Sequence, residues 1–247
     1  MTIPTPRGIE LIYKKESPST NEEAKNAPMG ASADRIYIAE RQSAGRGRLG
    51  RSFSSGSGGL YMTMRFEVST SPLDAAKITV LAAVAVARAI ERLVPIRAGI
   101  KWVNDIFVCD KKVSGILAEG VLGTDGKIAL SVLGIGVNIS NALPPELSEI
   151  AATLASFTDR VPDVADLAGE IVKEVYTLAQ VPFGEIIEEY RARSVLIGKT
   201  VSVIKKCADE YSARVLGISD AGELILELDG GKRELLATGE VSVRMKQ

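Results

Sequence analysis

Histidine is absent from this 247-residue chain, and that absence excludes a good deal of chemistry. Ser-His-Asp and Cys-His triads, histidine general bases and histidine-containing zinc sites cannot be assembled without it. Cysteine is nearly as scarce. Cys109 and Cys207 are too few for a disulfide framework and lack metal-ligand spacing. Long apolar runs are missing as well. The most apolar stretch, Leu73 to Val94, is interrupted by Asp74, Lys77, Arg88, Glu91 and Arg92, so it falls short of the roughly 20 residues that cross a bilayer. The opening MTIPTPRGIE has no apolar core of a secretory signal. No membrane partner and a cytoplasmic, reducing location are the expectations. Neither sign of charge dominates: 30 Lys+Arg against 31 Asp+Glu leave a formal net charge of −1. That balance offers no global attraction to nucleic acid.

What is present is an ordinary globular composition, 46% hydrophobic and 25% charged, with enough chain for one or two domains. Thr20-Asn21-Glu22-Glu23 fits a capping box at the start of a short helix that stops before Pro28. Arg35–Gln42 reads as a strand. Leu60, Met62, Met64, Phe66 and Val68 alternate with Tyr61, Thr63, Arg65 and Glu67, which predicts a strand with one buried face. Leu73–Val94 predicts a buried helix, and Ile100–Cys109, Val113–Val121 and Ile128–Ile139 predict three strands. Helices follow at about Val164–Ala179 and Phe183–Arg193. From Gly198 the pattern changes to short strands, Thr200–Ile204, Ala213–Ile218, Leu224–Leu228 and Glu234–Met245, separated by Asp-Gly-type turns. The expectation is a catalytic domain over residues 1–193 and a small barrel-like domain over residues 194–247.

Two motifs look like nucleotide sites and are not. Gly198-Lys199-Thr200 has the ending of a P-loop, but Arg193 occupies the required earlier glycine position. Gly45-x-Gly47-x-x-Gly50 matches a dinucleotide fingerprint, yet the loop continues through Arg51-Ser52-Phe53 instead of opening a helix, and no acidic residue closes a βαβ unit. Twelve of the fifteen residues from Ser43 to Ser57 are Gly, Ser or Arg, and only Leu49 and Phe53 could join a core. The segment therefore reads as a surface loop. A solvated basic loop and a phosphate-handling loop both remain open. Glycine at alternate positions favours the second, because it lets backbone N–H groups and bidentate arginines approach an anion. Lys101-Trp102-Val103-Asn104-Asp105 and Lys112-Val113-Ser114-Gly115 put polar side chains beside strands that must be buried. A structural ion-pair network or a bound anion with a metal would satisfy them.

Taken together, Ser19-Thr20-Asn21, Gly45-Arg46-Gly47-Arg48-Leu49-Gly50-Arg51, Leu60-Tyr61, Lys101-Trp102-Val103-Asn104-Asp105, Lys112-x-x-Gly115-Ile116-Leu117 and Gly134-Ile135-Gly136-Val137-Asn138-Ile139 resemble the biotin protein ligase family. The stretch Gly239 to Arg244 resembles that family's small C-terminal domain. Val103 departs from the family's usual proline, and Ser140 from its common asparagine; neither position supplies chemistry. The resemblance implies an α+β fold, a mixed sheet flanked by helices of the class II synthetase-like type, with an SH3-like β-barrel after it. It implies an adenylate-forming ligase that makes biotinyl-5′-AMP from biotin and ATP with Mg²⁺, then acylates one lysine of a biotin carboxyl carrier domain of a biotin-dependent carboxylase.

Position by position, the resemblance assigns Arg48, Lys101 and Lys112 to catalysis. It assigns Ser19, Thr20, Asn21, Gln42, Gly45, Arg46, Lys112 and Gly115 to biotin. The nucleotide side falls to Arg46, Arg48, Arg51, Phe53, Lys101, Asn104, Asp105, Asn138 and Arg244, with Asp105 as the Mg²⁺ ligand. Lys112 would meet the biotin carboxylate, and Phe53 would cover the purine. Because that carboxylate is itself the nucleophile, a chain without histidine is no obstacle: catalysis rests on bringing anions together and neutralising charge. The alternative in the same fold is a lipoate or octanoate ligase or transferase, whose usual pattern includes a histidine. With 18 residues before Ser19, no DNA-binding module and no DNA partner are expected. Family members are monomers or homodimers.

Overall fold

The computed structural model describes residues 8–28, 34–205, 210–237 and 241–245, with the backbone alone for 67–70, 72–76, 205 and 241–245. In chain order the first unit comprises β1 (Glu10–Ser17), α1 (Thr20–Asn26), β2 (Arg35–Gln42), β3 (Leu60–Thr70), α2 (Pro72–Leu93), β4 (Gly99–Lys101), β5 (Asp105–Val108), β6 (Lys111–Leu122), β7 (Ile128–Val137), α3 (Val164–Leu178) and α4 (Phe183–Ala192). Seven strands form one sheet in the order β1-β2-β3-β7-β6-β5-β4. Only β1 and β2 pair in parallel, so the sheet is mixed, as expected.

The two faces of the sheet are covered differently. Leu60, Met62 and Met64 of β3, with Leu133, Ile135 and Val137 of β7, bury their side chains in one core with α2, α3 and α4. Alanines at 82, 83, 85, 87 and 89 let α2 lie close to its neighbours, and all are inaccessible to solvent. Two of the charges that interrupt this helix, Arg88 and Arg92, turn toward α3 and α4. Arg88 Nε donates to Glu189 at 3.0 Å, and Arg92 Nη2 lies 2.9 Å from the buried Glu174 carboxylate. On the opposite face α1 packs through Ala24 against Tyr37, Leu130 and Val132.

Several sequence expectations need correction. β3 has two buried faces rather than one: Tyr61, Thr63 and Arg65 are as inaccessible as their apolar neighbours, because α1 and the glycine-rich loop cover them. The segment expected as one strand from Ile100 to Cys109 is a tight hairpin, β4 and β5, pairing Lys101 with Asp105 across a turn at residues 102–104. The peptide between Trp102 and Val103 there is cis. The capping box does not form: helix α1 starts at Thr20 after Ser19, with no side-chain cap. The Thr20 hydroxyl is instead engaged by Gln42, and Glu23 takes Ser17 and Lys14. Leu49, a candidate core residue, is 51% exposed at the loop tip, with φ of 58°. β1 was not foreseen.

The second unit contains β8 (Thr200–Lys205), β9 (Tyr211–Ile218), β10 (Leu224–Glu227), β11 (Arg233–Leu236) and β12 (Val241–Met245). The single strand expected over Glu234–Met245 is therefore two. Their order is β11-β10-β9-β8-β12, all antiparallel. The edge strands β11 and β12 do not pair with each other among the described residues, so the sheet is open where a barrel was expected. Trp102 is more than core: its indole N–H donates to Gly222 O at 2.9 Å and joins the β4–β5 hairpin to this second sheet.

Candidate active site

A cleft of about 1100 Å³ opens on the face of the sheet that α1 shares with the glycine-rich loop. One end is built by α1 and β2. Gln42 Oε1 accepts from Thr20 N at 2.8 Å and from Thr20 Oγ1 at 3.1 Å, while its amide donates to Ser55 Oγ at 3.0 Å. Asn21 Nδ2 donates to Glu119 at 2.9 Å, and its Oδ1 lies 2.7 Å from Thr63 Oγ1. Burial pushes the Glu119 carboxyl up, but its hydrogen bonds with Asn21 and Lys25 and the nearby cations outweigh this and hold it below the usual range. This end is therefore polar, and its hydroxyl and amide groups are fixed in orientation by one another.

The floor is glycine. A Cβ at Gly134 would sit 2.1 Å from Asn21 Oδ1, and one at Gly136 would sit 2.5 Å from the Phe53 ring. Phe53 lies across these strands with Tyr61 edge-on at 6.3 Å and Lys112 Nζ 5.9 Å from its centroid. Lys112 Nζ pairs with Asp105 Oδ1 at 2.7 Å, and this pair stands at the middle of the cleft.

Beyond it the lining turns cationic. Arg48 Nη1 donates to Asn104 Oδ1 at 3.2 Å, and Asn104 is itself stitched to β6 by Nδ2 to Ile116 O at 2.8 Å. Burial lowers the Arg48 guanidinium from its ordinary value; Asp105 and Tyr190 pull it back, and Arg51 adds repulsion. Lys101, whose Nζ lies 5.3 Å from the Phe107 ring centroid, also lines this end, as do Arg51 and Lys199. A partly desolvated cluster of cations is a site for a polyanion.

The structure brings together Ser19, Thr20, Asn21, Gln42, Arg46, Arg48, Arg51, Phe53, Lys101, Asn104, Asp105, Lys112, Gly115 and Asn138 on this one lining. Gly45 is not on it. It is buried behind the wall, where a Cβ would meet Phe53 O at 2.4 Å, so its part is to let the loop fold. Arg46 pairs with Glu22 of α1. Arg244 stands on β12 opposite Ser202, and its side chain lies outside the described part. Phe53, expected at the purine, sits at the junction beside Lys112. Sequence reasoning did not pick Thr63 or Glu119, and treated Gly134 and Gly136 only as pattern. A polar threonine inside an otherwise apolar alternation, and paired glycines in a buried strand, were the available signals. As for a metal, no three Asp, Glu, His or Cys residues cluster among the described residues, so no protein cage exists there. Asp105 offers one carboxylate, and a Mg²⁺ held mainly by substrate phosphates needs no more.

Residues 12–138 match the biotin/lipoate A/B protein ligase family, and residues 196–244 match the biotin protein ligase C-terminal domain. The chain is 30% identical over 244 residues to the bifunctional ligase/repressor BirA of Bacillus subtilis, covering 92% of this chain and 72% of that protein. It is 29% identical over 242 residues to the biotin–[acetyl-CoA-carboxylase] ligase of Mycobacterium tuberculosis, covering 94% and 88% respectively. Among solved structures, the biotin protein ligase of Aquifex aeolicus in complex with biotin and ATP superposes with a TM-score of 0.81 at 26% identity, over 96% of this chain and 99% of that one.

Proposed function

The chain belongs to the biotin/lipoate A/B protein ligase family, and we propose that it acts there as an ATP-dependent biotin protein ligase. The observation that carries this reading is the polarity change along a single cleft, with Lys112 at its midpoint. The α1 end offers oriented hydroxyl and amide groups, which suit the ureido ring of biotin; the dithiolane of lipoate would leave them unpaired. The Arg48–Lys101 end suits the triphosphate of ATP. A biotin acyl chain lying over the glycine floor would deliver its carboxylate to Lys112.

In the first step a carboxylate oxygen attacks the α-phosphorus of ATP. Its bond to phosphorus forms as the bond to the pyrophosphate oxygen breaks. Lys112 holds the carboxylate and offsets its charge against the α-phosphate, while Arg48, Arg51 and Lys101 stabilise charge gathering on the phosphates. Mg²⁺ bound through the phosphates would share that neutralisation, and Asp105 would supply its protein carboxylate. In the second step the amine of a carrier lysine attacks the acyl carbon, and AMP leaves. The protein acceptor we propose is the carrier domain of a biotin-dependent carboxylase, in the cytoplasm. Purified protein with ATP, Mg²⁺ and biotin should label such a carrier domain on a single lysine, read by mass spectrometry. Labelling with lipoate and not biotin would reject the assignment.

The loop from Ser43 to Ser57 closes one wall. Its turn is held by Gly47 N to Arg51 O at 2.7 Å and Phe53 N to Gly45 O at 2.9 Å, its ends by Ala44 N to Pro18 O at 2.9 Å and Tyr61 Oη to Gly56 O at 2.7 Å, and it contributes little apolar burial beyond Phe53. Ordering each residue costs ~1–2 kcal/mol, and substrate anions would offset part of this at Arg46, Arg48 and Arg51. A closed loop would shield the mixed anhydride from water. Trypsin should therefore cut after these arginines quickly in the free protein and slowly with biotin plus ATP. Equal rates would show that ligands do not gate the loop.

A further inference from the structure

Thr63 and Arg65 stand two residues apart on the face of β3 that looks toward α1, and both have 0% exposure. Thr63 Oγ1 grips the start of α1, 2.8 Å from Thr20 Oγ1 and 2.7 Å from Asn21 Oδ1. Arg65 grips its end. Nε donates to Ala24 O at 3.0 Å, and Nη2 reaches Ala27 O at 3.4 Å and Pro28 O at 3.3 Å.

A seven-residue helix is unstable by itself. Its last carbonyls have no partner within the helix and carry partial negative charge. A planar, permanently charged guanidinium with several donors matches such a carbonyl cluster, and it reads as out of place on this strand only when the helix is ignored. We propose that Thr63 and Arg65 form a two-point clamp on α1, and that Arg65 is a positioning residue for biotin affinity. It touches no substrate. It holds the helix so that Thr20 meets Gln42 and Asn21 meets Glu119, which sets the hydrogen-bonding array of the α1 end. The inference rests on the reading that this end receives biotin.

The test compares wild type with Arg65→Met, Arg65→Lys and Thr63→Val in steady-state kinetics, in calorimetric titration with biotin and separately with ATP, and in thermal melts. The clamp predicts that Arg65→Met raises the biotin KM by about tenfold or more. Its kcat should stay within about threefold of wild type, and its ATP KM should not change. Arg65→Lys should recover part of the biotin loss, because an ammonium can reach some of the carbonyls but not in the same fork. Thr63→Val should weaken biotin alone. A lowered melting temperature with unchanged biotin KM, or with equal losses for biotin and ATP, would overturn the clamp. Should Arg65→Met fail to fold, the lysine and valine variants decide the question by the same split. Wild-type protein that binds ATP but not biotin would reject the reading of this end, and the clamp with it. Wild type that binds biotin, with variants that bind it equally well, rejects the clamp alone.

Discussion

Replacing Lys112 with alanine should lower the rate of adenylate formation at least about tenfold, and up to roughly a hundredfold. The ammonium stands at the junction between the polar end and the cationic end, paired with Asp105 at 2.7 Å. On the proposed reading its loss removes the partner of the incoming carboxylate and takes from Asp105 its ion-pair partner where two more anions must meet. Biotin affinity should fall less than the chemical step, since part of the contact strengthens only as the phosphates crowd the carboxylate. Single-turnover formation of biotinyl-5′-AMP checks this. The Lys112→Ala/Asp105→Asn double variant relieves the stranded charge, so it should recover melting temperature but not rate. A rate unchanged in a folded Lys112→Ala variant would make this an ordinary surface lysine.

The second large effect is steric. Gly134→Ala places a methyl group 2.1 Å from Asn21 Oδ1, and Asn21 has nowhere to go, held by Thr63 on one side and Glu119 on the other. Overpacking of this kind costs ~1–3 kcal/mol, and here the strain falls on the α1 end of the cleft. Biotin affinity should drop between about fivefold and a hundredfold, while ATP affinity, which the proposal assigns to the far end, should hold. Gly184→Ala is the control. It lies in α4 with nothing within 4 Å of its Cβ position, and alanine there should leave binding alone and stabilise the helix by ~0.5–1 kcal/mol. Equal biotin affinity in the Gly134 and Gly184 variants would mean that α1 can shift without consequence.

How far the sequence reaches is clearest at β3. Its period-two alternation is a local property of the chain, and it identified both the strand and its apolar face, because a residue's side of a strand follows from position alone. Whether the other face meets solvent depends on what packs there. Tyr61, Thr63 and Arg65 look like solvated residues until α1, some forty positions earlier, is laid over them. β2, α2, α3 and α4 were legible for the same local reason. β1 was not: Leu11 and Ile12 are only partly buried, Lys14 and Lys15 follow them, and its partner β2 pairs in parallel from a distant part of the sequence.

The site divides along the same line. The residue types were readable, since alternate glycines and arginines, paired lysines and an absence of histidine restrict the chemistry wherever the chain goes. Their order along the cleft was decided only by tertiary structure. Lys112 meets Asp105 because β5 and β6 pair side by side, and Phe53 lies beside Lys112 because Gly115 and Gly136 leave room for its ring. Lys199, at a turn that failed as a P-loop, reaches the cleft because the second sheet docks through Trp102. Side-chain identity is carried by the chain itself. Proximity between residues as far apart in the chain as Phe53 and Lys112 is a product of packing, and the change along the cleft from hydroxyl and amide groups to a cluster of cations exists only once the sheet has formed.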